Sequence, residues 1–230
     1  MYPNTSISEV EEYFEKYKRD VVIKANEGSY GNSMYYVNDF LELQEKMNLL
    51  FQKHSSISIS PFYDILCEYR VIVLDDEVLL IYGKRRAEVL GDGIHTTYEL
   101  LCQFNQPFFE KIEDHSSLDY ILEKDKRYCY SWQHNISKGA VPYLIEGEEL
   151  KEKLDVDVQI ISLDLSSTFN CKKLNLRFVS VDIIELQSHD LKIIEINSGV
   201  ITNVVPYLKD GERIADRVYR SAVRSMFREK

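Results

Sequence analysis

Apolar positions recur along the chain at two periods, and the changes of period mark its elements. Residues 6–19 carry Ile7, Val10, Phe14 and Tyr17 at helical spacing behind Ser6 or Ser8, either of which can cap a helix. DVVIK at 20–24 is a β-branched run of strand length, ANEGSYGNS at 25–33 is rich in turn formers, and residues 34–37 read as the returning strand. A second helix is expected over 39–53, where Phe40, Leu43, Met47, Leu50 and Phe51 share a face. Strands are expected at about 66–74 and 78–84, joined by the tight acidic turn Asp75-Asp76-Glu77. TTYELLCQF reads as a helix behind a GDG loop, and the charged stretch near 117–127 is expected to be helical too. The apolar run at 156–165 fits a helix or a strand. Strands at about 177–186 and 191–197 then lead to a loop and an arginine-rich helix over 210–228. Hairpins mixed with helices predict an α+β chain, and the lack of a repeating βαβ pattern disfavours a Rossmann domain.

Composition narrows the class. The 230 residues, 44% hydrophobic and 29% charged, suit one sizeable core or two lobes sharing a cleft. A formal net charge of -10 argues against a non-specific nucleic-acid binder, which needs clustered surplus cations. It leaves phosphate binding open, since a cleft needs only a few well-placed lysines and arginines. Cys67, Cys102, Cys129 and Cys171 lie far apart without metal spacing and read as reduced thiols. No apolar run approaches the roughly 20 residues of a membrane span. The N-terminus lacks the basic and apolar regions of a signal peptide, so the expected location is the cytoplasm, with no membrane partner.

The stretch RFVSVDIIEL-QSHD-LKIIEIN is the most informative. If residues 187–190 form a four-residue hairpin loop, Leu186 pairs with Leu191, Glu185 with Lys192 and Ile184 with Ile193. The same register sets Asp182 opposite Glu195 and Ser180 opposite Asn197, with Val181, Ile183, Ile194 and Ile196 on the other face. Two carboxylates directly opposed stand roughly 5 Å apart and repel. A hard cation removes that repulsion, and carboxylates with an amide oxygen are ligands that magnesium takes. The alternative is a solvated sheet face that alternates acids with apolar residues.

Two cationic groups could meet phosphate. Lys24 closes a strand before a loop with Gly28, Ser29 and Gly31, where glycine lets backbone N–H groups approach an anion; an ordinary hairpin turn is the alternative. Lys84-Arg85-Arg86 ends another strand and equally suits a solvated edge. Arg70 lies mid-strand, where a buried arginine needs an anionic partner, and Glu68 on the same face could supply it. His95 and His134 have no partner at catalytic spacing.

Taken in order, VVIKANEGSYG (21–31), CEYRVIVLDDEVLLIYGKRR (67–86), VLGDGIHTTYELL (89–101), HNISKGA (134–140) and SVDIIE…LKIIEINSG (180–199) resemble the ATP-grasp superfamily. The likeness is greatest to the grasp domains of cyanophycin synthetase and the bifunctional glutathione-forming enzyme. It implies one ATP-grasp domain over 1–230, two α+β lobes with antiparallel sheets enclosing a nucleotide cleft. A small nucleotide-gripping lobe would span about 18–63, and a larger metal- and phosphate-binding lobe 64–230. The cofactors implied are ATP and Mg2+, with two ions. Asp182, Glu195 and Asn197 match the metal ligands, Glu195 bridging the ions. Lys24 would touch the α/β-phosphates, and the loop holding Gly28, Ser29 and Gly31 would close over the nucleotide. Pro61, Phe62 and Tyr63 match the hinge that reads adenine, with Asp64 for the ribose. Arg70, Lys84 and Arg86 would stabilise the transferred phosphate, while Asn135 and Lys138 match the loop orienting γ-phosphate and acceptor.

The activity implied is carboxylate–amine ligation through an acyl-phosphate, on small-molecule or peptide substrates. A partner-dependent or non-catalytic ATP-binding module and an ATP-dependent phosphotransferase are the alternatives. Three departures stand out. The chain begins where the grasp domain begins, without the family's usual N-terminal domain, so either a domain is missing, or the chain works alone or with a partner subunit, a homodimer among the options. Gln133 stands where related loops often have arginine, and Ala25 where proline commonly follows the lysine.

Overall fold

The computed structural model describes residues 1–26, 33–75, 77–145, 177–200 and 204–227, which divide into two compact units, Met1–Asp64 and Ile65–Lys230. In the first, helix α1 (Ile7–Lys16) starts where the Ser6 side chain accepts the Glu9 N–H, and helix α2 (Phe40–Phe51) where Asp39 does the same for Glu42. Strands β1 (Val21–Ala25), β2 (Met34–Val37) and β3 (Ile57–Pro61) form an antiparallel sheet in the order β2-β1-β3. Period-two alternation buries Val21 and Ile23 against Val10, Phe14, Leu43 and Leu50 from the helices. Val22 and Lys24 therefore face the other side, where Lys24 has Met34 and Ser58 as cross-strand neighbours.

The second unit is built on five antiparallel strands: β4 (Ile65–Leu74), β5 (Glu77–Arg85), β8 (Val141–Leu144), β9 (Phe178–Leu186) and β10 (Leu191–Asn197), in the order β10-β9-β4-β5-β8. One face buries Cys67, Tyr69, Val71, Val181 and Ile183. The opposite face carries Ile72, Leu80 and Tyr82, which pack with Ile214 and Val218 of the C-terminal helix α4 (Gly211–Met226). Both faces of the central strands are thus covered, which is why LCEYRVIVL reads as a nearly continuous apolar run interrupted by Glu68 and Arg70.

A smaller assembly pairs β6 (Glu88–Leu90) with β7 (Arg127–Cys129) beside helix α3 (Thr97–Phe109). Thr96 and Glu99 close a capping box at the start of α3. Its regular path breaks at Asn105, before Pro107, and the Asn105 side-chain amide donates to the Gly139 carbonyl at 3.0 Å.

The expected helix near 117–127 is not formed. Only a 3-10 turn at Ser116–Leu118 and then β7 occur there. The backbone of this stretch is committed to the GDG loop: Leu122 accepts from Gly93 and donates to His95, Tyr120 accepts from Thr97, and Lys126 accepts from Gly91. Those bonds replace the i→i−4 ladder a helix would need. The run at 156–165 lies outside the described residues.

Candidate functional site

The strand registers gather the polar residues of the larger unit onto one sheet face. Arg70 is paired with Asp182 on one side and Tyr82 on the other, and Glu68 with Lys84. Asp182 in turn opposes Glu195, and Ser180 opposes Asn197. The hairpin reaches this pairing by a route the sequence did not show. Near the turn the register is displaced by one, with Leu191 opposite Glu185, Lys192 opposite Ile184 and Ile193 opposite Ile183. A bulge at Ile194 restores it. Accordingly Ile193, not Ile194, packs into the apolar face, while Ile194 is 46% exposed. In the ladder Glu185 likewise stands opposite Leu191 and not Lys192, and its carboxylate accepts from Tyr69 Oη at 2.5 Å and contacts His189 Nδ1 at 2.7 Å.

At the centre, Arg70 donates from Nε and Nη2 to the two oxygens of Asp182 at 2.7 and 2.5 Å, a bidentate pair. Lys84 bonds Glu68 and stands 3.7 Å from Asp182 Oδ1. So the expected Arg70–Glu68 pairing gives way to Arg70–Asp182 and Lys84–Glu68. Burial alone would raise the Asp182 carboxyl, but the Arg70 hydrogen bonds and the Lys84 charge hold it below the ordinary range. Burial would also strip the proton from Lys84, and Glu68 and Asp182 overcome that to keep it charged. The four charges sum to zero in a buried setting. Burial pushes the Tyr82 hydroxyl beside them above its ordinary range, and the charges of Arg70 and Lys84 oppose that rise.

The remaining sequence candidates are spread more widely. Arg86 bonds Glu88, which also binds Arg127 at 2.7 Å. The Asn135 side-chain oxygen caps the Ile136–Lys138 turn, accepting from the N–H and hydroxyl of Ser137 at 3.0 Å each, and Gly139 ends that turn at φ 87°. In the smaller unit, Lys24 lies on β1, Phe62 donates its N–H to Asp20 O at 2.8 Å, and its ring lies 4.4 Å from that of Tyr36. Tyr63 and Asp64 are exposed. Gly28, Ser29 and Gly31 lie outside the described residues.

Among the described residues no three carboxylate, imidazole or thiolate groups cluster at metal-binding spacing. The oxygen set of Asp182, Glu195 and Asn197 nevertheless suits magnesium, which accepts an amide oxygen beside carboxylates. Glu195 is exposed and open to a ligand, and Asp182 shares its oxygens with Arg70.

No protein-family profile matches the chain. Glutathione biosynthesis bifunctional protein GshAB of Listeria monocytogenes is 24% identical over 219 residues, covering 87% of this chain and 28% of the relative. GshAB of Enterococcus faecalis is 24% identical over 217 residues, covering 84% and 28%. The chain thus spans little more than a quarter of the length of these curated relatives. D-cycloserine synthetase DcsG superposes with a TM-score of 0.55 at 10% identity, over 96% of this chain and 63% of that structure. D-alanine–D-alanine ligase from Bacillus anthracis superposes at 0.53 and 15% identity, over 94% and 58%. A RiPP-associated ATP-grasp ligase of Chryseobacterium gregarium superposes at 0.50 and 15% identity, over 96% and 53%.

The chain has the ATP-grasp fold. Within it, Glu68 and Tyr82 join Arg70, Lys84 and Asp182, although sequence reasoning gave Glu68 only a structural part. Their signal was parity: Glu68, Arg70 and Ile72 share one strand face. Lys84, which completes that face, lies only 16 positions from its partner Glu68, but Asp182 lies 112 positions from Arg70. Among the described residues no helix is long and apolar enough to cross a membrane.

Proposed function

We propose that this ATP-grasp chain is the ATP- and magnesium-dependent part of a carboxylate–amine ligase that works through an acyl-phosphate. The observation that carries the reading is the placement of Asp182 opposite Glu195, with Asn197 on the same face, beside Arg70 and Lys84, whose charges Asp182 and Glu68 balance. Asp182, Glu195 and Asn197 would hold magnesium, two ions if Glu195 bridges. When bound, the metal supplies charge neutralisation at the phosphate oxygens.

Arg70 and Lys84 supply the protein's part of the electrostatics. Lys84 is buried and Arg70 partly so, and Glu68 and Asp182 fix them, so they stabilise charge developing on a transferred phosphoryl group without reorganising. The carboxylate oxygen of the first substrate attacks the γ-phosphorus, the bond to the β,γ-bridging oxygen breaks, and ADP leaves. The amine nitrogen then attacks the acyl carbon, the bond from that carbon to the bridging oxygen breaks and inorganic phosphate leaves, and the excess protons on nitrogen pass to phosphate and solvent. Lys24 is assigned to the nucleotide phosphates, Phe62 and Tyr63 to the adenine, and Asp64 to the ribose. Asn135, held as a cap, fixes the loop that presents Lys138 to the acceptor, and Arg86 remains a second cation for the acyl-phosphate.

The test is phosphate release from Mg-ATP in the presence of pooled carboxylates and amines, with product mass read alongside. Amide products from the wild type, and loss of turnover by at least a hundredfold in Glu195→Gln without loss of the folded circular-dichroism signal, are expected. ATP binding with no phosphate release from any pool would leave a binding module. Phosphorylated hydroxyl products would make it a phosphotransferase.

A further inference from the structure

The loop at 131–140 contains two buried side chains that the proposed reaction does not use. His134 is 2% exposed, and its Nδ1 lies 2.8 Å from the Lys84 carbonyl oxygen. The cross-strand partner of Lys84 on β8 is Pro142, which has no N–H to give. A carbonyl only accepts, so Nδ1 carries the proton and Nε2 a lone pair. Burial presses the imidazole below its ordinary pKa; the bond to the Lys84 carbonyl opposes this, Arg86 and Lys84 reinforce it, and Glu88 offsets it slightly. His134 is accordingly a neutral acceptor.

Among the described residues its Nε2 is buried without a hydrogen-bond partner, and so is Oε1 of the adjacent Gln133, itself 9% exposed. A buried polar atom left unpaired costs about 1–3 kcal/mol, so such atoms need an explanation. Two neutral acceptors, with the charges of Lys84 and Arg86 acting on His134, would repel a carboxylate by lone-pair contact. An ammonium would be disfavoured by the cations. The complementary group is a neutral N–H or O–H, carried next to an anionic group that those cations attract.

We propose that His134 Nε2 and Gln133 Oε1 form a specificity subsite for a neutral amide N–H or hydroxyl on the carboxylate substrate. The favoured class is then a peptide-like or N-acylated amino acid, or a hydroxy acid, over a carboxylate with no donor. The identity of the ligand rests on the ligase reading, whereas the acceptor subsite does not.

Matched probes test this on the full chain. Protein carrying 15N-histidine is saturated with Mg-AMP-PNP and titrated with N-acetylglycine or with N-acetylsarcosine, which lacks the N–H. Glycolate and methoxyacetate form a second pair. The His134 Nε2 resonance, assigned by its loss in His134→Asn, is expected to move with the donor member of at least one pair, at an affinity at least tenfold above its blocked counterpart. Asparagine can still donate to the Lys84 carbonyl but has no Nε2, so His134→Asn should erase the preference while keeping the fold. Gln133→Leu, which leaves the Lys84 contact alone, should weaken it and serves if the first variant does not fold. An Nε2 resonance unmoved by every probe, as a fixed water would leave it, overturns the proposal, as does an equal response to both members of each pair. Phosphate release from ATP is read separately. Donor preference without release sinks the ligase reading and keeps the subsite; release without preference does the reverse.

Discussion

Asp182 is 4% exposed at its side chain and takes both guanidinium hydrogen bonds of Arg70, so removing Arg70 strands a buried carboxylate with only Lys84 nearby. Breaking one partner of a buried pair costs about 3–5 kcal/mol, and the remaining Lys84 argues for the lower end. Arg70→Ala is therefore expected to lose about 3 kcal/mol in urea unfolding. His134 gives a pH prediction. Its folded pKa is depressed, so as pH falls below the unfolded value of about 6.5 the unfolded chain takes a proton that the folded one refuses. Stability is fully present above that value and declines on acidification. The loss in melting temperature between pH 7.5 and 5.5 should be smaller in His134→Asn, with His54, His95, His115 and His189 common to both proteins; an equal loss would show that His134 is not buried neutral. At this scale the sequence disclosed needs without naming partners. A mid-strand arginine announced that it required an anion, but Glu68 two residues away looked as suitable as Asp182, which lies 112 positions on.

Helices were legible because their caps and apolar faces are local: Ser6, Asp39 and Thr96 each accept the N–H three residues later. The edge and short strands β3, β6, β7 and β8 were not, since three to five residues hold too little periodicity and their pairing is long-range. The β9–β10 hairpin was legible in outline, and its Asp182–Glu195 pairing was expected for a regular ladder. The ladder is not regular. Two residues of β10, Ile194 and Glu195, stand where β9 offers only Asp182, and this sends Ile193 and Ile196 to one face and Glu195 to the other. Deleting Ile194 would leave Ile193 opposite Ile183 and Glu195 opposite Asp182, removing the bulge alone. Magnesium-dependent ATP affinity, measured by calorimetry with and without EDTA, should then change by less than about fivefold, while deletion of Ile196 shifts Asn197 to the other face and lowers it by at least about tenfold. Tolerance of both deletions would mean that the hairpin does not hold the metal.

On the scale of the molecule, the chain holds two compact units with separate cores; Lys24, proposed for phosphate, belongs to Met1–Asp64, and Asp182, Glu195 and Asn197, proposed for magnesium, to Ile65–Lys230. A net charge of -10 means that a polyanion is drawn by local cations and metal, not by the field of the whole protein. Binding to the folded state alone adds about 2.7 kcal/mol at a hundred times Kd. For a domain of 150–250 residues that corresponds to a rise of about 5–10 °C in melting temperature. Hydrogen exchange followed by peptide separates the units, because Val21 and Ile23 report one core and Val71 and Val181 the other. If the assignments hold, Mg-ATP slows exchange in both units of the wild type. Lys24→Ala should weaken the protection of residues 1–64 first, and Glu195→Gln that of residues 65–230. Protection gained only in the larger unit, and indifferent to Lys24→Ala, would remove Lys24 from the nucleotide site while leaving the carboxylate hairpin in place.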